Sequence, residues 1–244
     1  MVLDGDADEI ESPALWDEAT EAHEATIYPI LTLGCRPVCP AWRDTLWRMD
    51  VLAAVPVKRF FVAKRRLSPI LDAAARARLG RDLAAHTIST VEKAGLDVVP
   101  LASDAEVAEW LSGRGWDPMV DRGGGLDAAA RDATLRAAAE GRPWMIVHAD
   151  LPLVTPEDIR AAASVLEGGC SPIAPSDDGG TSLIGGHRPF EFAYGPSSFH
   201  RHLARSDDPV VIVRRGLALD LDGPRDFEAA ASLPAGRWLR RYSP

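Results

Sequence analysis

From residue 50 onward, short apolar runs alternate with Ala- and Leu-rich stretches of helical spacing, and this alternation narrows the fold more than any other feature. Parallel strands need crossover helices, and those helices then cover the sheet. A chain that repeats strand and helix therefore builds an α/β domain with a mostly parallel central sheet and helices on both faces. The pattern predicts strands at 51–57, 97–101, 118–120, 144–148, 171–174, 182–185, 210–213 and 218–221. Helices are predicted at 70–94, 104–112, 126–140, 156–166, 198–204 and 224–231. Gly95 and Gly141 serve as stops, Ser103 and Thr155 as N-caps, and Pro156 sits at a first helical position.

Residues 1–48 do not share this pattern. They hold ten acidic residues and three Arg, a balance of −7, which leaves only −2 of the net −9 for the rest. With Pro29, Pro37, Pro40 and three Trp but no clean period, this stretch reads as an acidic N-terminal extension, poorly ordered or loosely docked. A second reading starts the natural chain at Met49, just before the first strong strand. The domain expected to carry function is 49–244. Nucleic acid is excluded as the main partner, because phosphate backbones demand a broad basic surface. A nucleotide needs only a local basic pocket. Cys35, Cys39 and Cys170 make no disulfide framework, and Cys35 and Cys39 are expected as free thiols. No stretch has the length of a membrane span, and the acidic start is unlike a signal peptide, so a cytoplasmic setting is the default.

In open α/β sheets, ligands bind beyond the carboxyl ends of the strands. After the first strand come Lys58, Arg59, Lys64, Arg65 and Arg66, a basic cluster in an acidic protein. It is either a solvated loop or a phosphate cradle, and its position favours the cradle. After the third strand, Gly123, Gly124 and Gly125 permit backbone approach to a ligand, although a glycine run alone reads more readily as an ordinary flexible loop. After the fourth strand, Asp150 precedes a Pro turn and suits either the turn itself or a divalent metal. His148, two residues earlier, reads as a packing residue. Asp220 and Asp222, at i and i+2 between Leu219 and Leu221, would share one face of an extended segment, where paired carboxylates call for a cation. Two further loops carry glycine and hydroxyl groups: 177–183, and 194–202 with Ser197 and Ser198 as helix caps or anion ligands.

Taken in order, VPVK at 55–58, AKRRL at 63–67, GGLDAA at 124–129, ADLPLVTPED at 149–158, GGTSLI at 179–184, YGPSSFHRHL at 194–203 and GLALDLDGPRDF at 216–227 resemble the guanylyltransferases of coenzyme F420 biosynthesis. These act on phosphoenolpyruvate, 2-phospho-L-lactate or 3-phosphoglycerate. The resemblance implies a nucleotide-diphospho-sugar transferase fold (GT-A, Rossmann-like). By the same resemblance, Lys58, Lys64 and Arg66 hold GTP phosphates, and Gly124, Gly125 and Leu126 contact the nucleoside. Asp150, Asp220 and Asp222 bind Mg²⁺, while Thr181, Gly195 and Ser198 hold the small phosphorylated three-carbon acid. Phosphoenolpyruvate is the favoured acceptor, and a homodimer is left open. Asp127 and Ser182 depart from the family pattern, which has Asn at both positions.

A phosphate monoester has its second pKa at about 6, so the acceptor oxygen is already deprotonated and needs no general base. Catalysis would then be positioning plus charge neutralisation. Two rival readings stand beside this one. A molybdenum-cofactor or sugar-phosphate nucleotidyltransferase would open with a Gly-rich loop, which the first loop here lacks. A catalytically drifted GTP-binding paralogue would draw on Asp127 and Ser182.

Overall fold

The computed structural model describes residues 50–60 and 64–242. Expectations for 1–48, including those for Cys35 and Cys39, lie outside the described residues. β1 (Leu52–Val57), β2 (Asp97–Ala102), β3 (Met119–Val120), β4 (Trp144–Val147), β5 (Ser171–Pro175), β6 (Thr181–Gly186) and β7 (Pro209–Val211) form one sheet in the order β3-β2-β1-β4-β6-β5-β7. The pairs β1–β2, β1–β4, β2–β3 and β5–β7 are parallel, and only β6 runs antiparallel to its neighbours β4 and β5.

The helices are α1 (Ala73–Lys93), α2 (Ala105–Ser112), α3 (Gly125–Ala139), α4 (Pro156–Glu167), α5 (Ser198–Leu203), α6 (Arg215–Ala218) and α7 (Pro224–Ser232). β1 shows why both faces are covered. Its odd residues Ala53, Val55 and Val57 enter a core with Ile88 of α1, Leu111 of α2 and Ile159 of α4. Its even residues Leu52 and Ala54 enter a second core with Ala130, Ala133 and Ala137 of α3. A strand buried on both sides cannot alternate apolar with polar, which is why it reads as a continuous apolar run.

A third apolar cluster positions the carboxyl-end loops. It joins Leu67, Leu153, Leu221, Phe227 and Leu239, each buried, with Leu79 and Leu83 of α1. Leu239 comes from a 3-10 segment at Pro234–Tyr242, for which the sequence pattern predicted no element. Leu67, Leu153 and Leu221 lie within three residues of Lys64, Asp150 and Asp222 respectively, so burying them anchors the polar residues beside them.

Two sequence expectations need correction. The N-cap of α2 is Asp104, whose carboxylate accepts from the Val107 amide at 3.0 Å, while Ser103 turns its hydroxyl onto Asp104. The segment 218–221 is not a strand. Ala218 closes the short helix α6, and the extended residues after it bond to loops: Asp177 N donates to Ala218 O and Leu221 N to Asp150 O, both at 2.9 Å. No ladder is left for it to join.

Candidate active site at the carboxyl end of the sheet

The backbone bonds just described draw the loops after β4 and β5 against the segment that follows α6, and Lys64, from the loop after β1, joins them through its side chain. Lys64 occupies the centre. Its backbone is left-handed, with φ of 54°, a conformation uncommon for a residue other than glycine. Its side chain is only 9% exposed, and Nζ donates to Asp150 Oδ2 at 2.8 Å and to Asp222 Oδ1 at 3.2 Å. Burial works to lower the lysine pKa, but attraction to Asp150 and Asp222 overrides it and the ammonium is held. Asp150 mirrors this. Burial would raise its pKa, yet Lys64 keeps the carboxyl well below the usual range. Arg66 reaches Asp222 Oδ2 at 3.4 Å from an exposed position.

Asp178, Asp220 and Asp222 form a carboxylate group whose oxygens lie within 4.8 Å of one another. Burial, then repulsion from Asp150, Asp178 and Asp222, pushes Asp220 up to about 7. Asp150 meets this group through Lys64. It also keeps Oδ1 buried with no hydrogen-bond partner among the described residues. Crowded carboxylates plus an orphaned carboxylate oxygen are a hard-oxygen donor set, which fits a small divalent cation. Asp178 was not singled out in the sequence. The available signal was its place in an Asp-Asp-Gly-Gly turn directly after a strand.

The proton on Asp220 has a measurable consequence. Between its ordinary pKa of 3.8 and about 7, the folded state keeps a proton that the unfolded state releases, so stability declines as pH rises through that window. A divalent cation replaces that proton. The rise in Tm on adding Mn²⁺ is expected to be larger at pH 8 than at pH 5.5, and equal rises would contradict the site.

Asp222 is held by α7. Asp226 accepts from the amides of Asp222 at 3.1 Å and Gly223 at 2.6 Å. Upstream, Asp158 of α4 does two jobs. It closes a capping box with Thr155, and its other oxygen takes the Nε of Arg214, which leads into α6 and the Asp220 segment. The packing is close enough that a Cβ on Gly216 would meet Asp158 Oδ2 at 2.1 Å. Asp158→Ala removes the reciprocal half of the capping box and leaves a half-buried guanidinium unpaired. It is expected to cost about 2–4 kcal/mol, read as a lower urea midpoint with unchanged m. A loss under about 1 kcal/mol would show that Asp158 does not join these loops.

The glycine loop has a structural reason of its own. A Cβ on Gly124 would sit 2.3 Å from that of Ala128, and Gly125 has φ of 74°. The amides of Gly123, Gly124 and Gly125 all donate to the carboxylate of Asp121 at 2.9–3.0 Å. Leu126 instead faces a cavity of about 230 Å³ lined also by Val57, Lys58, Lys64, His148 and Asp150. Arg59, from the same basic cluster, is drawn away by Asp104 at 2.9 Å.

Thr181 and Ser198 are buried together, with hydroxyls 3.3 Å apart. His202, which the sequence left unassigned, organises them. Its Nε2 accepts from the Ala193 amide at 2.9 Å, so Nδ1 carries the proton and donates to Thr181 Oγ1 at 2.9 Å. Burial first, with nearby Arg201 and Arg205, lowers its pKa to about 4, which keeps the ring neutral. Gly195, with φ of 111°, turns the chain into α5, and the Ser198 amide bonds back to its carbonyl. The two departures from the family pattern have local partners. Asp127 Oδ1 accepts from the Tyr194 amide at 2.9 Å, a contact that needs only an acceptor, and the Ser182 hydroxyl donates to Ala174 O at 3.3 Å.

The phosphoenolpyruvate guanylyltransferase of Rubrobacter xylanophilus is 36% identical over 189 residues, covering 73% of this chain and 92% of the relative. That of Sphaerobacter thermophilus is 35% identical over 195 residues, covering 75% and 93%. Among solved structures, a Desulfovibrio desulfuricans protein assigned as a nucleotide-diphospho-sugar transferase superposes with TM-score 0.64 at 18% identity, covering 79% of this chain and 95% of that one. A Mycobacterium tuberculosis protein solved in complex with manganese superposes with TM-score 0.50 at 17% identity, covering 74% and 97%. These structural likenesses establish the nucleotide-diphospho-sugar transferase fold. The family model described as "Guanylyl transferase CofC like" matches residues 51–213, two thirds of the sequence, and the chain belongs to that family.

Proposed function

We propose that this protein transfers GMP from GTP to the phosphate of phosphoenolpyruvate, releasing pyrophosphate, as a step in coenzyme F420 biosynthesis in the cytoplasm. 2-Phospho-L-lactate is the alternative acceptor. The observation that carries the reading is the convergence of Lys64 with Asp150, Asp178, Asp220 and Asp222 at the carboxyl end of a sheet with this topology. The relatives named above support the choice of guanine nucleotide and acceptor.

In this reading, an acceptor phosphate oxygen forms a bond to the α-phosphorus of GTP, and the bond from that phosphorus to the oxygen bridging to the β-phosphate breaks. The acceptor arrives deprotonated, so no residue need act as base. Lys58, Lys64 and Arg66 neutralise the departing pyrophosphate. Gly124, Gly125 and Leu126 shape the nucleoside end, Leu126 from the cavity wall. Thr181, Gly195 and Ser198 hold the acceptor's carboxylate and phosphate. Because His202 donates to Thr181, the threonine hydroxyl keeps its own hydrogen for an anion. Asp220 and Asp222, with Asp150 or Asp178, would hold Mg²⁺, which when bound would supply positive charge to the phosphate oxygens. The drifted-paralogue reading gains nothing from Asp127 and Ser182, since both make ordinary structural hydrogen bonds.

The test is pyrophosphate release by the purified protein with GTP, Mg²⁺ and each of phosphoenolpyruvate, 2-phospho-L-lactate and 3-phosphoglycerate, with ATP and CTP as controls. Release with GTP and phosphoenolpyruvate is the expected result. Release only with another acceptor would replace the substrate, and no release with any pair would overturn the activity.

A further inference from the structure

His202 and His148 both pack against the ring of Tyr194, with ring centroids 4.8 Å and 5.0 Å from it, but they differ in one respect. Both ring nitrogens of His202 are used, one on Thr181 and one on Ala193. His148 keeps Nε2 buried with no hydrogen-bond partner among the described residues. Leaving a buried polar group unpaired costs roughly 1–3 kcal/mol. A histidine kept only for packing would be better replaced by an apolar residue.

Its place in the sheet says where Nε2 can find a partner. The pairing of β4 with β6 runs to Val147 opposite Leu183, and the His148 amide continues it by donating to Ser182 O at 2.9 Å. Side chains alternate along this extended backbone. Val147 enters the core shared with α1, and His148 falls on the face of Ile146, toward Tyr194 and α3. There it lines the same cavity as Lys58, Lys64, Leu126 and Asp150. Tyr194, which it touches, also packs against His202, and His202 reaches Thr181. His148 thus stands at the seam between the nucleotide cavity and the acceptor side.

We propose that His148 is a substrate-binding residue whose Nε2–H donates to a phosphoryl oxygen of the nucleoside triphosphate where nucleotide and acceptor meet. The inference rests on the guanylyltransferase reading above and adds a contact to it. A phosphoryl oxygen only accepts, so Nε2 must be the protonated nitrogen. A donor aimed at the reacting phosphoryl group strengthens as charge shifts during transfer, so its loss should appear in kcat more than in KM.

Two variants separate binding from packing. His148→Leu keeps apolar contact with Tyr194 and removes the donor, whereas His148→Gln presents an N–H at similar reach. H148L is expected to lower kcat for pyrophosphate release by about 10²-fold with little change in Tm, and H148Q to recover at least about tenfold of that loss. H148L within about threefold of wild type, or H148Q as inactive as H148L, would overturn the proposal. If H148L does not fold, His148→Phe replaces it with the same outcomes. Calorimetric titration with GTP and Mg²⁺ keeps this separate from the activity itself. If the wild type releases no pyrophosphate, the guanylyltransferase reading fails, and His148 is judged on GTP affinity alone. Weaker binding in H148L that H148Q restores would support the contact, and equal affinities would overturn it.

Discussion

Asp220→Asn is expected to slow pyrophosphate release by about 10³-fold while leaving Tm unchanged or higher in metal-free buffer. The two effects have one cause. Asp220 is half-buried among Asp150, Asp178 and Asp222, and this environment raises its carboxyl to about 7. Near neutral pH the folded state therefore either holds a proton there or suffers the repulsion. An amide has neither burden, so the fold loses nothing. The amide carries no negative charge and offers a cation one acceptor oxygen in place of two, so the site loses a charged ligand. Stability given up for function is a common arrangement at sites that bind charge. A variant with normal rate would remove Asp220 from the metal site, and a large fall in Tm would show that its role is structural.

Lys64→Met should fail in both respects. The ammonium is the partner of Asp150 and Asp222, and its side chain is largely buried. Removing it leaves Asp150 beside three other carboxylates without the cation that hydrogen-bonds it. Breaking such a pair costs about 3 kcal/mol, so Tm should fall. The rate should fall by about 10²-fold or more, since the leaving pyrophosphate loses a point charge. Mn²⁺ should restore part of the lost Tm, because a cation is what the carboxylates lack, but it should not restore the rate. A variant that kept wild-type Tm would show that the bridge contributes no stability, and one that kept wild-type rate would remove Lys64 from the phosphate site.

Much of this protein was legible from residues alone, for reasons of local physics. β1 reads as a buried strand because both its faces need apolar side chains. The start of α4 reads as a helix because Thr155, Pro156 and Asp158 satisfy its first amides within four residues. Asp220 and Asp222 attract attention because two carboxylates so close, flanked by leucines, are costly without a cation. The order of seven short motifs then pointed to the family, which the match over residues 51–213 shows.

Other features depend on parts of the chain far apart in sequence. The segment 218–221 has the composition of a strand, yet its hydrogen bonds go to Asp150 and Asp177, and nothing within the segment indicates that. Asp178 reads as a turn residue until folding brings it beside Asp220, more than forty positions away. Lys64 and Asp222 are separated by 158 positions, and the half-buried bridge between them is decided by how Leu67, Leu153 and Leu221 pack together. Local sequence determined most of the strands and helices, because hydrogen bonding and apolar periodicity act over a few residues. Which charges meet was decided only by the tertiary structure, because the energy of a charge depends on the dielectric and the neighbours that distant segments supply.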